Sequence, residues 1–367
     1  MKKIIERIVA SESAPGNYDL WVDTKSETPE LKVNYGLDQN NGWKTIGGSG
    51  SSDSNVKKVN MGPDVNDVLD MMAEKEYFTI EAIENGTKVY FKRHVDSDGD
   101  PVTLSVEIST DGETWTEKNS DRTPGTLLTT LNAGQKLYIR GNNATYGSKD
   151  DDDYPNGSSI YGDKDFYAYG NMMSLVEGEN ALKGIYSTTL GTYTFACFFK
   201  DTKVCSHPTK NLILPAKSLK NYSYARMFYS CTKLIKAPDI FATGWGGTNQ
   251  VQYMFYGCTL LEVPPKVLHI STDTAFYNCP KLKRSPILLN NDISSYSFSN
   301  CPNVSEIINL GTMIGQYSTT DWSSGSTREW HCPAETGVIY KLPDVEAWNE
   351  ITLPDGWVLK DVEIVYE

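Results

Sequence analysis

One short phrase recurs four times in the second half of the chain, and it limits the fold more than any other feature. Residues 228–234 read Phe-Tyr-Ser-Cys-Thr-Lys-Leu, 255–261 Phe-Tyr-Gly-Cys-Thr-Leu-Leu, 276–282 Phe-Tyr-Asn-Cys-Pro-Lys-Leu and 298–304 Phe-Ser-Asn-Cys-Pro-Asn-Val. Their common form is Phe-x-x-Cys-x-x-Leu/Val at successive steps of 27, 21 and 22 residues. A weaker first copy fits Phe198 to Val204, with Asp201 in the cysteine position, and Pro238, Pro264 and Pro286 follow the three strongest copies. A unit this small cannot bury its apolar side alone, so the period predicts a solenoid of stacked coils, each adding one short strand.

Stacking turns the repeat into three internal columns. They are Phe228, Phe255, Phe276 and Phe298; Cys231, Cys258, Cys279 and Cys301; and Leu234, Leu261, Leu282 and Val304. Each buried Phe contributes about 1.5–3 kcal/mol through its area, and truncation to Ala costs about 3–5 kcal/mol because a cavity adds to the loss. The cysteines read as small buried hydrophobes. The seven Cys of the chain include no Cys-x-x-Cys pair, so the usual zinc and redox spacings are absent.

Tyr-x-x-Met-Phe-Tyr-x-Cys-Thr-x-Leu, whole in 224–234 and nearly so in 254–261, resembles the BspA-like leucine-rich repeats of Bacteroidetes and of the phages that infect them. Asn171–Val176 and Asn211–Ala216 resemble the opening of such an array; Thr320-Asp321-Trp322 and Leu353–Val358 resemble its closing segment. The resemblance covers about 170–367 and implies a short leucine-rich repeat solenoid over 171–310 with a C-terminal cap over 311–367. The chain departs from the family in having few, irregular copies, the longest step holding an insertion around Gly244-Trp245-Gly246-Gly247. Trp245 is therefore the candidate ligand contact, an aromatic residue carried on an extra loop.

Ahead of the repeats the apolar period is two. Val102, Leu104, Val106 and Ile108 alternate with polar residues, Asp111-Gly112 makes a turn before Trp115, and Leu137 and Ile139 alternate again. Together with 77–80 and 88–91 these read as an antiparallel, Ig-like β-sandwich. Val65, Val68, Leu69 and Met72 stand at helical spacing after Pro63, so 61–170 is a short helix plus the sandwich. Residues 47–60, opening Gly-Gly-Ser-Gly-Ser-Ser, read as a flexible linker.

Residues 1–46 are too few for an independent core, yet hold strand-like pieces with Leu20, Trp21, Val22, Leu31, Val33, Trp43 and Ile46. These phrases resemble the attachment ends of phage head and tail fibres, of the crAss-like kind. The resemblance implies a segment for virion attachment and oligomerisation, binding capsid or tail proteins and forming a trimer or dimer.

Charge narrows the function. Thirty-four Lys and Arg against 47 Asp and Glu give a net charge of −13, which opposes a nucleic-acid binder that tracks phosphates. No apolar run approaches the roughly 20 residues that span a bilayer, so membrane insertion is not expected. Glu6 and Arg7 interrupt the apolar core that an export signal needs.

No catalytic, metal or cofactor constellation stands out. Asp96, Asp98, Asp100 and Glu107 imitate a calcium loop, but Pro101 occupies the position that requires glycine, and a hairpin tip accounts better for them. Asp150–Asp153 read as a hydrated acidic loop; His94, His207, His269 and His331 are scattered.

The expectation is a mainly β, non-enzymatic virion protein without cofactors. It would be made in the host cytoplasm, displayed on the virion surface, and face a host glycan or protein. The alternatives are a bacterial cell-surface adhesin and a carbohydrate-active enzyme.

Overall fold

Alternation sets the first sheet. Phe78, Ile80 and Ala82, then Val106 and Ile108, then Leu137 and Ile139 send every second side chain into one interior, and all lie in strands. The structure, a computed structural model, describes residues 8–11, 20–23, 30–34, 43–46, 57–60, 76–150, 154–183, 189–242, 244–245, 247–269, 274–289, 297–311, 334–343, 345, 348, 353 and 355–365. The chain is mainly β, and the helical turns Ser174–Glu177 and Gly178–Lys183 are short. It divides into two compact units, Asp70–Leu359 and Met1–Leu69 with Lys360–Glu367. The helix expected around Val65–Met72 lies outside the described residues.

In the N-terminal unit, strands Ile8–Ser11, Leu20–Asp23, Glu30–Asn34 and Trp43–Ile46 form one sheet in that order, the first pair parallel and the others antiparallel. The register sets Leu20 opposite Val33, Trp21 opposite Lys32, Val22 opposite Leu31, Leu31 opposite Ile46 and Trp43 opposite Asn34. The expected attachment residues thus share one small sheet. Strand Lys57–Asn60 pairs in parallel with the Val362–Val365 part of strand Trp357–Val365. Residues 57–60 of the expected linker thus lie in a strand, and the last part of the expected cap pairs with it. The Gly-Ser run that argued for a linker stops short of buried Val59, a β-branched residue suited to a strand, and the end of the C-terminal cap belongs with the N-terminal unit.

In the larger unit one sheet runs Thr116–Asn119, Ser105–Ser109, Lys136–Gly141, Phe78–Ala82, Phe166–Asn171, Val204–Cys205; a second runs Thr126–Leu131, Thr87–Lys92, Ser159–Gly162. Val89, Phe91, Leu131 and Ile160 of the second share a core cluster with Phe78, Ile80, Leu137 and Ile139 of the first. Asp111 caps the turn after Ser105–Ser109, accepting the Glu113 and Thr114 amides at 2.8 and 2.7 Å. Asp96 closes the hairpin tip by accepting the Asp98 and Asp100 amides, each at 3.0 Å, so that oxygen is committed to the turn.

Strand Phe166–Asn171 joins the two halves of this unit. One side pairs antiparallel with Phe78–Ala82; the other pairs in parallel with Val204–Cys205 and Leu212–Ile213. Phe78 also lies edge-on to Phe198, at 5.8 Å between centroids. Sheets and repeats therefore share one core, and the boundary expected at 170/171 falls inside a strand.

From 193 onward the backbone settles into a repeating device. Ala196, Phe198 and Lys200 donate their amides three residues back to close tight turns; Phe195, Cys197, Phe199 and Asp201 donate to Ser223, Ala225, Met227 and Tyr229 of the next coil. The following coil does the same from Tyr224, Arg226, Phe228 and Ser230 to Gln250, Gln252, Met254 and Tyr256. Half the amides hold each turn and half hold the stack, so these buried donors are satisfied. Each turn needs a left-handed residue every fourth position, at φ of 58° for Tyr193, 58° for Cys197 and 59° for Asp201.

The columns follow from that ladder. Phe199, Phe228, Phe255, Phe276 and Phe298 stack with centroids 5.3, 5.5, 5.4 and 5.4 Å apart and planes within 18°. Cys231, Cys258, Cys279 and Cys301 are fully buried, and Leu234, Leu261, Leu282 and Val304 lie behind them. The first copy is shifted by one residue from the reading Phe198–Val204. Phe199 holds the ring position, and Thr202, whose Oγ1 lies 3.8 Å from the Cys231 sulfur, holds the cysteine position. Asp201 instead takes the left-handed position two after the ring, with Ser230, Gly257, Asn278 and Asn300 below it.

Candidate functional site

The residue after each stacked Phe alternates out of the core, and this column reads Lys200, Tyr229, Tyr256, Tyr277, Ser299. Its three tyrosines are half-buried and stack face to face, with centroids 4.6 and 5.0 Å apart and planes 3° and 4° from parallel. Burial, then the neighbouring Tyr256, pushes the Tyr229 phenol above its ordinary range. Lys200 extends the column, its Nζ 5.6 Å from the Tyr229 centroid. The outcome is a row of phenols held at coil spacing by a backbone whose amides are already used.

Arg226 adjoins this row. Its guanidinium carbon lies 5.2 Å from the Tyr154 centroid and 5.4 Å from that of Tyr253, and Tyr253 meets Tyr256 edge-on at 5.8 Å. The Arg226 Nε is buried and has no hydrogen-bond partner among the described residues. Its φ of 55° is left-handed, as is that of Tyr253 one coil on, so the strain belongs to the repeat. Burial, with the Asp201 carboxylate, pushes the neighbouring Cys197 thiol up to about 11, against the pull of Lys200, Arg226 and Lys92.

A second polar cluster lies where the larger sheet meets the first coil. Tyr169 donates to Glu81 at 2.6 Å, and Lys210 binds both Glu76 oxygens, at 2.9 and 2.6 Å. His207 accepts the Thr209 and Lys210 amides on Nδ1, which leaves its proton on Nε2, 3.9 Å from Glu81. Burial holds His207 below its ordinary pKa and pushes Tyr169 far above its own. Every charge here is answered by a neighbour. The adjoining cavity, about 30 Å³ and lined in part by Cys205, His207 and Lys236, has room for little more than a water. Burial also pushes the Cys205 thiol up to about 11, which leaves it a poor nucleophile.

Gly244–Trp245 is a short strand that pairs in parallel with Ser218–Leu219, setting Trp245 opposite Leu219. The backbone of Trp245 thus joins the coil ladder; its side chain lies outside the described residues, as do Asp151–Asp153, His331 and Cys332. The tyrosine column was visible in the repeat, where Tyr follows Phe in three copies. The Arg226 setting was not, because Tyr154 comes from the sheet half of the unit and no spacing links the two. No family model, no curated protein and no solved structure matches this chain.

Proposed function

We propose that the chain is a non-enzymatic structural protein of a phage virion, a head fibre or tail fibre that adheres to the host surface. The observation that carries the adhesion is the tyrosine row at 229, 256 and 277 with Arg226 beside it: half-exposed rings and polar tips set in register on a hydrogen-bonded coil ladder, the pre-organisation that favours recognition. In this reading the coils are BspA-like leucine-rich repeats, the two sheets an Ig-like spacer, and the N-terminal unit the anchor to capsid or tail proteins in a trimer or dimer. The protein is made in the host cytoplasm, carries no cofactor and assigns no residue to catalysis.

Gradient-purified particles analysed by peptide mass spectrometry, then immunogold labelling against 170–367, test the reading. Stoichiometric recovery with label standing off the capsid or tail is expected. Absence from clean particles together with recovery on cell envelopes would replace it with the bacterial surface adhesin.

A further inference from the structure

The Arg226 setting names the chemistry of what this surface holds. A guanidinium over aromatic rings keeps its planar fork of donors, and the rings remove water that would otherwise weaken a charged contact. Arg140 and Arg93 each lie within salt-bridge distance of a carboxylate, Glu107 and Asp121 respectively. Arg226 has two rings within 5.4 Å of its guanidinium carbon and, among the described residues, a buried Nε without an acceptor, an arrangement that leaves a charged donor group unsatisfied. Lys200, over the adjoining Tyr229, adds a second cation to the same surface.

We propose that Arg226, with Tyr154, Tyr253 and the tyrosine row, binds the carboxylate of an acidic saccharide. The inference rests on the adhesion reading and gives its ligand class. Two observations select a saccharide over an acidic peptide. The coil amides at 222–230 are spent within the turn and on the next coil, so no open edge accepts an added strand. Tyr229, Tyr256 and Tyr277 instead offer phenols that give and accept hydrogen bonds beside apolar ring edges, which suits a polyhydroxylated ring.

Titration calorimetry of the full-length protein with oligogalacturonate, and with the same oligomer as its methyl ester, tests this. The acid form should bind, the ester at least about tenfold more weakly, and added salt should weaken the acid form. Arg226→Gln should abolish the preference and Arg226→Lys restore only part of it. Tyr154→Ala, at an exposed residue outside the coils, should weaken binding without changing the denaturation midpoint, and this serves if Arg226→Gln does not fold. Equal binding of acid and ester, binding unaffected by both variants, no binding of either oligomer, or poly-glutamate matching the uronate would each overturn the proposal. Host adhesion retained in Arg226→Gln would sink the acidic-sugar assignment and leave adhesion standing. Uronate binding through Arg226 by a protein absent from particles would sink the virion reading and leave the acidic-sugar assignment standing.

Discussion

The thiol of Cys231 donates to the carbonyl of Phe199, one coil earlier, at 2.9 Å. The contact recurs from Cys258 to Phe228 at 3.1 Å, from Cys279 to Phe255 at 3.1 Å and from Cys301 to Phe276 at 2.9 Å. It explains the residue type in the second column: the site is buried and small, and a carbonyl faces it that a weak donor can meet. Thr202, in the same column, reaches the Phe199 carbonyl with its own hydroxyl at 2.7 Å. The cysteines therefore serve the packing of the stack, which in turn fixes the spacing of the outward tyrosines.

Phe255 and Tyr256 are adjacent, yet only the first stands in the internal stack, between Phe228 and Phe276. Phe255→Ala should cost about 3–5 kcal/mol, and Tyr256→Ala nearer the 0.5–1.5 kcal/mol of an aromatic contact, because its ring is half-exposed. Urea denaturation midpoints measure both. Equal small losses would mean that the columns are drawn wrongly.

Burial raises the Cys231 thiol from 9.0 to about 12 and Cys258 in the same direction. The thiolate is the reactive form, so native protein at pH 8 should leave both cysteines unalkylated by iodoacetamide while the denatured chain reacts fully. The shift has a sign for stability. The folded state holds these protons more tightly than the unfolded chain, so this contribution is complete below pH 9 and declines as pH rises toward 12. Rapid labelling of Cys231 in native protein, read by peptide mass spectrometry, would contradict the stack.

The repeat was legible because its buried columns are chemically narrow: Phe, Cys and Leu recur where nothing else fits. The same phrase carries a second signal. The position two after Phe is Ser230, Gly257, Asn278 or Asn300, residue types that tolerate a left-handed backbone, and it marks the turn register. Reading that column would have placed Asp201 in it and Phe199, not Phe198, in the ring column. The sheets were legible through alternation, but their union with the coils was not, since Phe78 meeting Phe198 is a contact between residues 120 positions apart in the chain. Lys57–Asn60 escaped because composition describes a Gly-Ser run well and says nothing of a partner strand at the other end of the chain.

Gly170 stands where the sheet passes into the first coil, at φ 84°, and a Cβ there would run into the carbonyl oxygen of Tyr77. Gly170→Ala therefore combines backbone strain of about 1–2 kcal/mol with a clash against main chain that cannot swing aside. The thermal midpoint should fall clearly below that of Gly134→Ala, at a positive-φ turn glycine whose Cβ would meet nothing within 4 Å. Equal losses would show that the junction is not close-packed.

His94 is buried, with Nδ1 2.8 Å from the Ser158 hydroxyl, and burial lowers its pKa from 6.5 to about 4 against the opposing pull of Asp96. The unfolded chain takes up this proton first on acidification. Its contribution to stability is therefore full above pH 6.5 and is lost as pH falls toward 4, with His207 and His269 shifted the same way. The ring-proton resonance should titrate near 4. His94→Gln should flatten the decline in denaturation midpoint between pH 7 and pH 4.5, and an unchanged slope would exclude His94 as a source.

The pairing of Lys57–Asn60 with Val362–Val365 separates two truncations that composition alone would treat as one. Removing residues 1–55 takes away the four-stranded N-terminal sheet and keeps the strand that pairs with the C-terminus. Removing 1–60 also exposes the edge of Trp357–Val365 and uncovers Val362, which is 4 % exposed when paired. The first product should be monodisperse and, if the proposed anchor lies in the lost sheet, fail to join particles. The second should fail to join them and also aggregate with time in light scattering. If the first variant were incorporated normally, the anchor would lie elsewhere; if both were equally soluble, the strand pair would not hold the C-terminus.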